Sequence, residues 1–354
     1  MSDNIFTYKN SEKGIIITGL VDKESVSEII IPDAIDGIPV TTVGEAAFYK
    51  YTNLKNVKLG KNVRYIENAS FAESGITHIN LERNIKYIGN YAFEDCRKMN
   101  DVAWNCDLSI SEYCFAGCSA LHHFDFSHVT GIQLLAFEES GLKEAQLTNN
   151  VEYIENGVFR GSNLEKVQLG KNIRGIGDYV FSNCRWLKEV VWDCNNQVTR
   201  GCFYNNVSLT KFDFSNTPGI DEEAFSKSGL IEIQLDKKVE RIEKGAFSNC
   251  KKLSNVIWNC PQSIPQDCFR SCTSLKSMDL SKATGIDKCA FSKSGLREIQ
   301  LDENLQRIGE GAFSECKRLK NAIWNSKKPV PRSCFENCTA LIAVSYTHLR
   351  AHET

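Results

Sequence analysis

Fifteen cysteines in a chain of 354 residues are the first groups here that could do chemistry. A thiol can pair, bind metal or act as a nucleophile, and its spacing to other groups decides which. Cys114, Cys118, His122 and His123 come nearest to a ligand set, with a spacing superficially like zinc ligation. Two equivalent stretches test that reading. They keep the thiol pair as Cys268 with Cys272 and Cys334 with Cys338, yet carry Lys276, Ser277 and Ile342, Ala343 where the histidines stood. No metal and no cofactor are therefore expected. Catalytic signatures are missing as well: the sequence contains no GxSxG, no glycine-rich phosphate loop and no HExxH. Carboxylates recur at a fixed spacing instead of converging, whereas an active site breaks repeat symmetry. The expectation is a protein without enzymatic activity.

The recurrence itself is the main signal. Phenylalanine stands at Phe48 and Phe71, and from there every 22 residues to Phe335, a period in the leucine-rich-repeat range. Each unit carries apolar residues at relative positions 1, 4 and 6 of a short strand, as in Leu54, Val57, Leu59 or Leu296, Ile299, Leu301. Strand side chains alternate, so the residues between them face outward. A second apolar pair follows a tight turn, as in Val63 and Ile66 or Ile173 and Ile176. Asn62, Asn84, Asn150, Asn172 and Asn304 occupy that turn, where asparagine tolerates the left-handed backbone. Phenylalanine then opens what the pattern predicts to be a short helical turn.

Three repeat types cycle with a longer period of 66: "SGLREIQLDENLQRIGEGAF", "KKLSNVIWNCPQSIPQDCF" and "TSLKSMDLSKATGIDKCAF". Trp192, Trp258 and Trp324 follow that period and should lie in the core, since each holds the inward place taken elsewhere by leucine. Residues 1–25 precede the lattice and read as a capping hairpin, 26–346 as the repeats, and 347–354 as a non-repeat tail that looks foreign to the protein.

Within the lattice the thiols find a bland explanation. The residue three after each phenylalanine is mostly Cys or Ser, and the one before it is Ala, Val, Ser or Cys. Positions that exchange cysteine for other small residues select size and burial. Structural thiols are expected, which fits a reducing compartment.

The opening "IPDAIDGIPVTTVGEAAF" and the recurrent "IGNYAFEDCRKM" and "IGEGAFSECKRL" resemble the BspA-type leucine-rich repeats, over about Ile5 to Tyr346. That resemblance implies an α/β repeat solenoid: a right-handed superhelix with a parallel sheet on one side and short helical turns on the other. It also implies a bacterial surface or secreted protein that adheres to host matrix proteins or other cells, but it designates no binding residue.

Composition narrows the partners. A net charge of −2 with no basic run excludes the general attraction to polyanions on which nucleic-acid binders rely. No apolar stretch approaches the roughly 20 residues needed to span a bilayer, and the N-terminus carries no leader pattern, so membrane insertion is not expected. About fourteen stacked strands would form a sheet about 65 Å long, which suits a macromolecular, protein partner. The candidate contacts are the outward strand residues. These are His78, Asp101, His123, Asp125, Glu144, Gln146, Glu189, Val191, Lys211, Asp213, Glu232, Gln234, Ile257, Asp279, Gln300 and Ile323. Val191, Ile257 and Ile323 are apolar on a face expected to be exposed, and they lie 66 apart. Asp125, Asp213 and Asp279 recur in the third repeat type, either as a solvated face or as a polar ladder that a partner grips. Two functional classes stay open: a surface adhesin, and a cytoplasmic scaffold or structural repeat protein.

Overall fold

The computed structural model describes residues 5–23, 26–147 and 150–345. Tyr346, expected to end the last strand, and the 347–354 tail lie outside the described residues. The chain forms two compact units, Met1–Cys184 and Arg185–Thr354. Each is a parallel β-solenoid carrying seven of the lattice phenylalanines.

Turns of the first two types offer their neighbours three segments. The first is the strand of the main sheet. In the first unit Glu28–Ile30, Asn56–Lys58, His78–Leu81 and Asp101–Trp104 pair in parallel, with His78 opposite Asp101 and Leu81 opposite Trp104. Alternation does what the pattern requires: Ile79, Leu81, Val102 and Trp104 are buried while His78, Asn80 and Asp101 are exposed. The four tryptophans at this inward place are all buried, as expected. The second segment is a two-residue ladder, such as Gly285–Ile286 between Ser263–Ile264 and Arg307–Ile308. The turn asparagines serve it differently from the expectation: none of Asn62, Asn84, Asn172 and Asn304 has a positive φ. Instead Asn84 Nδ2 donates to Val63 O at 2.7 Å, and Asn304 Nδ2 to Ser281 O at 2.8 Å and Ala283 O at 2.9 Å. These amides tie one turn to the turn before it.

The third segment corrects the expected helical turn. No helix occurs among the described residues. At all fourteen turns the residues two before and two after the phenylalanine have positive φ, as with Glu223 (56°) and Lys227 (61°) around Phe225. Alternating right- and left-handed residues point every second N–H the same way, toward the next turn. Glu223, Phe225 and Lys227 donate to Lys244, Ala246 and Ser248 carbonyls at 3.1, 2.8 and 2.9 Å. The N–H groups between them close local turns, from Ala224 to Asp221 O at 3.2 Å and from Ser226 to Glu223 O at 3.0 Å. An α-helix aims its N–H groups along its own axis, at carbonyls four residues back, and so would offer none of them sideways to the next turn. Left-handed backbone costs a non-glycine residue about 1–2 kcal/mol, and the inter-turn ladder is what offsets it.

Beneath this ladder the phenylalanines stack. Within each unit successive rings lie 5.2–5.8 Å apart, between centroids, and within 4–19° of parallel. A centroid spacing wider than the strand repeat of about 4.8 Å means offset stacking, the favoured aromatic geometry. The thiols complete the layer. Cys96, Cys118, Cys250 and Cys272 donate S–H to the carbonyls of Phe71, Phe93, Phe225 and Phe247 at 3.0–3.2 Å. Where serine replaces cysteine in this column, as at Ser74, Ser162, Ser228 and Ser294, its hydroxyl lies 3.3–3.4 Å from the thiol of the next turn. At the first end, Phe6–Ser11 pairs antiparallel with Gly14–Leu20, which in turn pairs with Ile38–Val43 of the first turn.

Candidate binding face

The main sheet is interrupted at each turn of the third type. Residues 123–126 in the first unit, and 211–214 and 277–280 in the second, form no strand. Asp125, Asp213 and Asp279 therefore stand off the strand on which sequence placed them, as do His123 and Lys211. The cause is local. Each aspartate turns its carboxylate back on the chain, accepting the N–H of Ser127, Ser215 or Ser281 at 2.9 Å. An Asx turn of this kind competes with ladder hydrogen bonds. Bulky neighbours fill the space below: Phe212 lies 5.3 Å from Phe203 and 4.9 Å from Phe225, ring to ring. Main-chain hydrogen bonding to Ser281 also holds the Asp279 carboxyl below its ordinary range.

Each interruption in the second unit opens a recess in the face. The first, about 660 Å³, is lined by Lys211, Asp213, Glu232, Gln234, Asp236 and Ile257 among others. The second, about 810 Å³, is lined by Ser277, Asp279, Glu298, Gln300, Asp302 and Ile323 among others. The two sets coincide residue by residue at a spacing of 66. On the far side of each recess runs a strand without a partner on that edge: Glu232–Leu235 pairs only with Asn255–Trp258, and Glu298–Leu301 pairs with Asn321–Trp324. Unpaired strand edges carry free main-chain donors and acceptors.

All sixteen candidate residues except Val191 are exposed. Val191 is half-buried, so the apolar triplet 66 apart reduces to Ile257, 41% exposed, and Ile323, 37% exposed. The structure gathers Lys211, Asp213, Glu232, Gln234 and Ile257 around the first recess and Asp279, Gln300 and Ile323 around the second, with Glu189 also on the wall of the first. In the first unit His78 and Asp101 share one sheet, and Glu144 and Gln146 lie on another strand beyond the break at His123 and Asp125. Asp236 and Asp302 were missed because they fall one position past the strand. The signal that could have found them is the same 66-residue recurrence.

Burial holds most of the thiols in the neutral form, whereas the hydrogen bond with Cys316 lowers the Cys338 thiol from its ordinary value. Burial pushes Cys96 and Cys184 up to about 12 and Cys250 up to about 11, so each is a neutral thiol near neutral pH. Of the zinc-like quartet, Cys118 donates to Phe93 O, and His122 Nδ1 lies 3.1 Å from Gly141 O. Among the described residues no three His, Cys, Asp or Glu side chains are placed to hold a metal ion. Nor is any helix among them long and apolar enough to cross a membrane.

The repeat geometry defines a leucine-rich-repeat solenoid. The model of the BspA type leucine rich repeat region matches residues 21–140, 108–229, 196–320 and 262–349, and the chain belongs to that family. Among curated proteins none matches it. Among solved structures, a leucine rich cell surface protein from Faecalibacterium prausnitzii is 20% identical with a TM-score of 0.51, over 99% of this chain and 95% of that one. A leucine-rich repeat protein from Bacteroides ovatus is 19% identical with a TM-score of 0.49, over 91% and 94%. The first of these likenesses supports the fold alone.

Proposed function

We propose that this protein is a non-enzymatic binding module that engages a protein partner through the exposed strand face of its repeats. The observation that carries the reading is the pair Ile257 and Ile323, exposed in the same register at the rims of two matching recesses. Apolar side chains kept on a polar face, where alternation would place Gln or Asn, are what interface cores are made of. The surrounding carboxylates and amides form the polar rim. A cell-surface, adhesive role is the setting this reading favours, in line with the family and with the surface protein that shares its fold.

A cytoplasmic scaffold is the second reading, and one observation favours it: all fifteen cysteines are free thiols, fourteen of them buried. Thiol titration of native protein made in an oxidising compartment separates the two. Defined disulfides would support the surface role, and fifteen reduced thiols the scaffold.

Binding is tested by panning a random peptide library on the native chain and footprinting the bound peptides. Protection should fall on the strand face, and Ile257→Asp with Ile323→Asp should abolish it. Protection of the phenylalanine-turn side, unaffected by those substitutions, would sink the proposal.

A further inference from the structure

We infer that the two recesses of the second unit form one composite site for an extended basic polypeptide, with Lys or Arg at every fourth residue. This names the partner chemistry of the face proposed above and rests on that reading.

Charge is the first argument. Asp279, Glu298 and Asp302 line the second recess, and no lysine or arginine lines it. The first recess is walled by Glu189, Asp213, Glu232 and Asp236 against Lys188 and Lys211. Both therefore present an excess of carboxylate on a chain whose overall charge is only −2. Complementary charge is what selects and orients a partner at an interface.

Shape narrows the choice of cation. A small hydrated ion needs converging oxygens, and no such cluster occurs among the described residues. Each recess instead combines carboxylates with accessible apolar surface: Phe212 and Ile257 in one, Met278 and Ile323 in the other. An aliphatic stem ending in a cation matches that combination, because lysine and arginine lay their methylenes on apolar surface and keep the charge at the tip. Arginine fits best, since its planar head meets carboxylates in paired hydrogen bonds.

Spacing supplies the register. Three turns separate the recesses, about 14 Å at about 4.8 Å per turn. An extended chain rises about 3.3 Å per residue and returns to the same face every second residue, so four residues span about 13 Å on one face. Residues i and i+4 of an extended peptide reach both recesses; residues i and i+3 point to opposite faces.

The test uses three fluorescein-labelled peptides of Ser and Thr on the full chain. One carries two arginines four apart, one two arginines three apart, and one has glutamine in place of both. The four-apart peptide should bind roughly tenfold tighter than either control, reflecting two linked contacts. Glu232→Gln or Glu298→Gln, both exposed and isosteric, should each weaken it roughly fivefold, as for exposed ion pairs. Equal binding of the two arginine peptides, or none, overturns the proposal. Library peptides that protect the strand face but are neutral would overturn it while leaving the binding reading intact. Loss of strand-face protection by any peptide would end both.

Discussion

The two sides of each turn obey different rules. On the phenylalanine side, the ring and the paired left-handed residues repeat through all seven turns of each unit without a break, and the column three residues after the ring is Cys or Ser everywhere but at Tyr51 and Asn206. On the strand side, the ladder stops at every third-type turn, and outward residues vary from Gln168 in the first unit to Ile257 and Ile323 in the second. The contrast follows from where hydrogen bonds and burial are obligatory. A turn built on left-handed backbone has no internal alternative for its N–H groups and must hand them to its neighbour. A strand face has already satisfied its backbone within the plane, so its outward side chains are free to vary. Binding capacity belongs on the side where variation costs little stability.

Raising the pH should strike the phenylalanine side hardest. Burial raises the thiols of Cys96, Cys184 and Cys250 above their ordinary value of 9.0. Such groups contribute stability that is fully present below the unfolded value and lost as pH rises toward the folded one. Each unit of displacement is worth about 1.4 kcal/mol, so the urea midpoint should fall steeply between pH 9 and 11. Replacing Cys184 and Cys250 by serine should flatten the profile, and an unchanged slope would refute the assignment to thiols.

Next in size is Phe225→Ala, which deletes one ring from the stack and should cost about 3–5 kcal/mol in urea unfolding. A loss under about 1 kcal/mol would mean the stack is not the core. Asn206 offers a gain on the same side. It occupies the column of Cys and Ser, is fully buried, and neither of its amide atoms has a hydrogen-bond partner in the structure. Asn206→Cys should stabilise by about 1–3 kcal/mol, the cost of leaving a buried polar group unsatisfied. Smaller still is Glu223→Gly, which relieves a left-handed residue; a gain of about 1 kcal/mol is expected, partly offset by glycine's entropy. A thermal midpoint that fell instead would show that the backbone there is not strained.

The smallest effect is assigned to the strand side. Ile257→Ala and Ile323→Ala should leave stability within about 0.5 kcal/mol, as for exposed positions, while weakening peptide binding. Destabilisation comparable to Phe225→Ala would erase the distinction between the two sides.

Much of this was legible in the chain itself. A period of 22 in phenylalanine forces equivalent positions to stack, and alternation along four-residue strands decides which residues are buried, so turn number, inward tryptophans and small-residue columns follow without coordinates. Three features did not follow. The left-handed residues around each phenylalanine are filled by Glu, Lys, Tyr and Ala as readily as by glycine, so composition gives no sign of them; only the neighbouring turn's carbonyls make them tolerable. The break at Asp125, Asp213 and Asp279 was hidden because their apolar spacing is that of a strand, while the competing Asx turn shows only in the contact of each carboxylate with the serine N–H two residues on. The recesses arise from that break. Sequence thus determined which residues face outward, since strand period is a property of the backbone. Only tertiary structure decided which of them surround a hollow, because a hollow is made by hydrogen bonds that adjacent turns fail to share.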